Sequence, residues 1–247
     1  MASAAGTLIA AGIMVNLTTV EYKSQALFNL IFFRLAPQAP EPVEVLQELG
    51  LPASYQRLVG TTAFSENTPT SDWNWDRKFL AQTSFTKLVG FYIRRPAIPV
   101  DLIWSSLRSD GSGIRPSNLS NYRAKDGFGP GTLARRFDSW SNLRSWLILV
   151  FPAHVVIFYG LAVSGSLACI IRPAMAERWP LYPVTLLLSA AGVVEFACAT
   201  CLDCVENARH LFLFHVITEL LIVCAFAAVW GYAWDLLRRD RLRTSRL

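Results

Sequence analysis

Three long apolar runs, separated only by short polar connections, occupy most of the chain after Ser145 and commit it to a lipid bilayer. They cover 146–171, 180–202 and 211–234. Each exceeds the roughly 20 residues that cross about 30 Å of hydrocarbon at 1.5 Å per helical residue. Charged residues make up 17% of the chain, against about 25% in a soluble domain. The shortfall lies after Ser145, outside one polar seam and the basic tail. The fold class is therefore all-α, a polytopic helical membrane protein. Pro180 suits the first turn of its helix, where no N–H is missed. Trp146, Trp179, Trp230 and Trp234 stand near span ends, where amphipathic rings favour the interface.

A fourth apolar run, 1–20, carries no charge before Glu21. It lacks the basic start of a signal peptide and reads as a transmembrane helix entered partway along. That start suggests the C-terminal part of a longer protein. Arg238, Arg239, Arg241, Arg243 and Arg246 in the tail 235–247 share a side with Arg172 and Arg178. The positive-inside rule puts that side in the cytoplasm of a cell (inner) membrane, and 21–145 outside.

The segment 21–145 reads as a mostly helical extracytoplasmic domain. Apolar spacing predicts helices over 24–35, 42–49, 75–95 and 99–108. Pro37, Gly50 and Pro96 end the first three. Gly and Pro punctuate 111–131, which reads as an ordered loop. The stretch 137–146 leads into the first long run, making Trp140, Arg144 and Trp146 interfacial. Tyr122, Arg123, Lys125, Arg135, Arg136 and Trp140 interleave basic and aromatic character. Next to a membrane this pattern means anchoring, or contact with lipid phosphate or anionic glycan; no nucleic acid partner is expected.

The polar seam joins the last two runs and contains Asp203, Glu206, Arg209 and His210, flanked by Glu195, His215 and Glu219. Ionisable groups inside or beside a span are expensive, and they face a partner, a cavity or a substrate path. Glu206 and His210 are four apart, as are His215 and Glu219, so each pair shares a helix face. That spacing serves an ordinary helical ion pair more often than a divalent metal, and no cofactor is predicted. Cys198, Cys201 and Cys204 read as packing residues, since sulfurs three apart on a helix do not converge on one ion. Counted from the outer span ends, Glu195, His215, Glu219 and His154 all lie roughly 8–13 Å deep. This polar membrane layer either locks the helices together or lines a substrate or proton route. Asn16 and Asn118 begin glycosylation sequons, which say little unless the source is eukaryotic.

E-N-A-R-H-L-F-L-F-H-V-I-T-E (206–219) resembles a stretch near the C-terminus of bacterial polytopic membrane proteins. These are related to the GT-C, protein-mannosyltransferase-like glycosyltransferases of cell-surface glycan synthesis. F-N-L-I-F-F-R-L (28–35), E-L-G-L-P (48–52), K-L-V-G-F-Y (87–92), N-L-S-N-Y (118–122) and F-D-S-W-S-N-L-R (137–144) are similar too. The resemblance implies a glycan or hexose transferase that takes sugar from a polyprenyl-phosphate donor on the outer face. The implied partners are the lipid bilayer, that donor, a glycan acceptor and a separate multi-span membrane subunit. In such enzymes the catalytic acid lies in a multi-span N-terminal half, so no catalytic residue carries over. Arg209 and Arg144 are the candidates for donor phosphate, since the planar guanidinium gives paired charge-assisted hydrogen bonds. Glu206, His210, His215 and Glu219 would shape the pocket. The alternative is a noncatalytic membrane scaffold or accessory subunit.

Overall fold

The computed structural model describes residues 19–66, 68–70, 72–114, 122–129, 132–133, 138–202 and 210–244. The apolar run expected to span over 1–20 lies almost wholly outside them, as do Asp203, Cys204, Glu206 and Arg209. No strand occurs among the described residues. The chain divides into two compact units, one of 1–102 with 200–205 and one of 103–199 with 206–247.

In the first unit, helix α1 (Val20–Phe28) begins where the Thr19 hydroxyl accepts the Tyr22 N–H. It widens into a π-helix over Asn29–Leu35, its last N–H donating from Ala36 back to Ile31. Helix α2 (Pro42–Glu48) starts with proline in its first turn, and Gly50 follows it at φ +83°. One helix was expected over 75–95, but there are two, α3 (Trp73–Gln82) and α4 (Phe85–Arg94). Thr83 and Ser84 are extended between them, and the Ser84 hydroxyl accepts the Lys87 N–H. That cap competes with helix continuation and wins. Helix α5 (Ala97–Arg108) follows.

Phe28, Phe32, Phe79, Phe91 and Leu88 are fully buried here, each stabilising the fold by about 1.5–3 kcal/mol. Trp75 stacks on Phe79 at 4.8 Å. Within this core the Ser24 hydroxyl donates to Asp76 Oδ1 at 2.6 Å, tying α1 to α3. Burial pushes the Asp76 carboxyl above its ordinary value, the Ser24 bond partly offsets this, and Glu21 and Asp72 push it up further. Tyr92 donates to the Cys201 carbonyl at 3.0 Å.

The second unit holds three helices long and apolar enough to cross a membrane: α7 (Ala153–Ile171), α9 (Tyr182–Cys201) and the stretch Phe212–Trp234 of α10 (Phe212–Thr244). Helix α6 (Ser139–Val150) precedes them, and a short helix α8 (Pro173–Arg178) joins the first two. The span expected over 146–171 is thus cut. Phe151 sits at φ −140°, ψ 69° ahead of Pro152. Proline excludes the helical conformation from the residue before it and supplies no N–H of its own. The tail expected over 235–247 is helical as far as Thr244, continuous with the last span.

Only 22%, 39% and 33% of the three apolar windows are buried within the protein, so most of their surface is left for lipid. Small and hydroxylated residues close the helix contacts, as usual where lipid removes the hydrophobic drive between helices. Gly165 lies under the Trp179 ring, and Gly192 under that of Tyr159. Ser166 and Ser189, both buried, donate back to carbonyls one turn earlier at 2.8 Å.

Candidate functional site

Glu219, the eighth residue of α10, gathers the polar groups of the second unit. Its two carboxylate oxygens accept the Trp140 indole N–H at 2.9 and 3.0 Å. Arg144 Nη1 donates to the same carboxylate and forms an ion pair with it. Trp140 and Arg144 are four apart on α6, so one helix face supplies both donors. The Arg144 side chain is almost completely buried, and a guanidinium so placed needs a counter-charge.

One residue earlier on α10, Thr218 Oγ1 and the Tyr159 hydroxyl are hydrogen-bonded at 2.9 Å, and Thr218 also donates to the Phe214 carbonyl. The Tyr159 ring stacks on Phe214 at 5.8 Å, and Phe196 meets Phe214 edge-on at 4.8 Å. His215 is 3% exposed, and neither ring nitrogen has a hydrogen-bond partner among the described residues. The Arg144 charge acts on both His215 and Tyr159. A buried imidazole with one donor and one acceptor unused is costly, and it leaves capacity for a polar group entering beside Arg144.

The four-residue polar layer read from the sequence is therefore only partly assembled. Glu219 and His215 belong to one cluster, with Arg144 added. His154 does not join it. Because α7 starts at Ala153, His154 lies in the first turn of its span, not deep within it, and its Nδ1 meets the Phe151 carbonyl at 2.5 Å. Glu195 is half-buried about 9 Å from the end of α9 by helical rise. It makes no hydrogen bond or ion pair to Glu219 or His215; its charge acts on Cys198, one turn on. His210 is half-buried just ahead of α10. Cys198 is exposed while Cys201 is buried.

Beside the cluster runs an apolar groove of about 520 Å3, walled by Ile103, Leu107, Val155, Tyr159, Phe196 and Phe214. It follows one face of α7 from Val155 to Leu167, about 18 Å of helix. Gly160 and Ser164 deepen it. Neither the groove nor the Trp140 and Thr218 contacts were anticipated. The usable signals were the four-residue spacing of Trp140 and Arg144, and the small residues recurring along one face of α7.

The family model described as "YfdI N-terminal transmembrane domain" matches residues 1–246. No curated protein matches the chain, and no solved structure does. The description names an N-terminal domain, whereas the resemblance at 206–219 was to a C-terminal stretch. A match running through all three apolar helices and the seam between them shows the family: the chain is a membrane protein belonging to the YfdI N-terminal transmembrane domain family.

Proposed function

We propose that this membrane protein holds a polyprenyl-phosphate sugar and works as part of a glycosyltransferase in cell-surface glycan synthesis. The observation that carries the reading is the groove along α7, whose wall residue Tyr159 is hydrogen-bonded to Thr218, the neighbour of the Glu219 that pairs with Arg144. An isoprenoid chain suits a slot of that length with almost wholly apolar walls. A phosphate suits a guanidinium, which has five N–H donors and needs only some of them for Glu219. The His215 imidazole supplies a further donor. Glu219 opposes an anion, so donor phosphate would exchange with Glu219 on Arg144 while Trp140 keeps the carboxylate. In this proposal the α6 side of the spans faces outward and the arginine-rich end of α10 faces the cytoplasm, following the positive-inside rule. Arg209, Glu206 and His210 remain candidates for the same pocket. No residue is assigned as catalytic.

The test uses the full chain in lipid nanodiscs with a photoactivatable polyprenyl phosphate and the matching polyprenol. Labelling within 155–167, at least tenfold weaker for the alcohol and equalised by Arg144→Met, is the expected result. Equal labelling by both lipids in the unaltered protein overturns the phosphate site. Membranes with the chain, incubated with radiolabelled polyprenyl-phosphate hexose, test the transfer.

A noncatalytic scaffold is the second reading, favoured by the fact that Arg144 already has its counter-charge. Glu219→Gln with unchanged transfer and lowered stability would support it.

A further inference from the structure

The first unit contains a cavity of its own. It is a cleft of about 580 Å3 where the turn after the π-helix meets the end of α4 and the start of α5. Its floor is Leu35, Val45 and Phe91, and Pro40 and Pro96 form rigid walls. That volume is in the range of small-molecule sites, roughly 300–1,000 Å3.

Three polar side chains from three different segments line it: Gln38, Arg95 and Asp101. Arg95 is held by an ion pair with Glu48 and lies 5.8 Å over the Phe91 ring. Gln38 and Asp101 are exposed and make no hydrogen bond or ion pair among the described residues. The cleft therefore offers an amide, a carboxylate and part of a guanidinium, which together supply both donors and acceptors. Arg95 is shared with Glu48, and Asp101 adds a second carboxylate to one guanidinium. That excess of negative charge disfavours phosphates and carboxylates. It does not disfavour a neutral polyol: vicinal hydroxyls both donate and accept, and the C–H face of a sugar ring lies well on an apolar floor.

We infer that the cleft between Pro40 and Pro96 is a binding site for a neutral saccharide, with Gln38 and Asp101 taking ring hydroxyls and Arg95 closing one end. No residue lining this cleft lines the groove along α7, so failure of either reading leaves the other intact.

Saturation-transfer NMR on the full chain in nanodiscs, with maltose, lactose, cellobiose and glucuronic acid as probes, tests it. At least one neutral disaccharide should give saturable transfer and bind at least tenfold tighter than glucuronic acid. Asp101→Ala and Gln38→Ala should each weaken that binding about tenfold while leaving the elution volume and circular dichroism unchanged. Both side chains are exposed and make no hydrogen bond or ion pair among the described residues, so neither change should affect folding. Ile98→Trp, which fills the cleft from its half-buried wall, should abolish binding. The proposal is overturned if none of the three disaccharides binds, if glucuronic acid binds best, or if either alanine variant binds as the parent does.

Discussion

Arg144 and Glu219 form an ion pair whose two ends see very different surroundings: the arginine side chain is 7% exposed and the glutamate 38%. Removing one is therefore not equivalent to removing the other. Glu219→Ala strands a buried guanidinium and takes away the acceptor of Trp140. It should cost about 1.5–3 kcal/mol, the range for hydrogen bonds to charged groups. Arg144→Met leaves a half-exposed carboxylate still bonded to Trp140, and should cost about 1 kcal/mol or less. The double variant Arg144→Met with Glu219→Leu should be more stable than Glu219→Ala alone, because no buried charge is left unpaired. Thermal unfolding in detergent, followed by tryptophan fluorescence, checks the order.

Gly192 is a spacer for Tyr159. A Cβ at position 192 would stand 2.8 Å from Tyr159 Cε1, and that ring is held by Thr218 on one side and Phe214 on another. Gly192→Ala should destabilise the second unit by about 1–3 kcal/mol through overpacking. Tyr159→Phe, which keeps the ring and loses only the Thr218 bond, should cost about 1 kcal/mol. The same unfolding measurement separates the two.

Asp76 should give the first unit an acid-dependent increment of stability. Its folded carboxyl titrates above the ordinary value, chiefly from burial, so the folded state holds the proton more tightly than the unfolded state does. Between the ordinary carboxylate value and the raised one, stability falls as pH rises, and the cost of the buried charge persists at higher pH. Asp76→Asn removes the charge and keeps an oxygen for Ser24. The variant should be at least as stable as the parent at neutral pH and lose this increment on acidification. Denaturant midpoints across the acid range provide the check.

Gly50 combines a left-handed backbone with crowding. At φ +83°, a Cβ would fall 2.7 Å from the Gln82 carbonyl oxygen and 2.6 Å from Lys87 Nζ. The lysine tip can move away; the carbonyl ending α3 cannot without unwinding it. Gly50→Ala should cost about 1–3 kcal/mol, while Gly60→Ala, with a similar φ of +88° and nothing within 4 Å, should cost less. Comparing the two midpoints isolates the contact from the backbone strain.

The spans were legible because composition alone decides them: a helix such as Ala153–Ile171, without one Asp, Glu, Lys or Arg, can be little else. The helix over Pro42–Glu48 was legible because Pro42 and Gly50 mark its ends by their own backbone chemistry. Periodicity misled across Thr83 and Ser84, since Leu80, Leu88 and Phe91 keep helical spacing through a break that only the Ser84 cap reveals. Pro152 breaks the run 146–171, but the residues on both sides of it are apolar enough to read as one span. His154 is shallow for the same reason: its helix starts at Ala153, seven residues after the start of the apolar run at 146. The partnership of Arg144 with Glu219 joins positions 75 apart and follows from how α6 packs on α10, which no local pattern encodes. The groove along α7 is likewise a property of packing, a space left where Gly160 and Ser164 decline to fill it.

Helix α10 runs unbroken for 33 residues, and the last ten, after Trp234, extend past the apolar stretch, about 15 Å of further rod. A continuous helix resists torsion along its axis, so this extension acts as a handle on the span. A turn imposed at the arginine-rich end would rotate Glu219 against α6. The Trp140 and Arg144 bonds to Glu219 are the contacts that any such rotation would have to break.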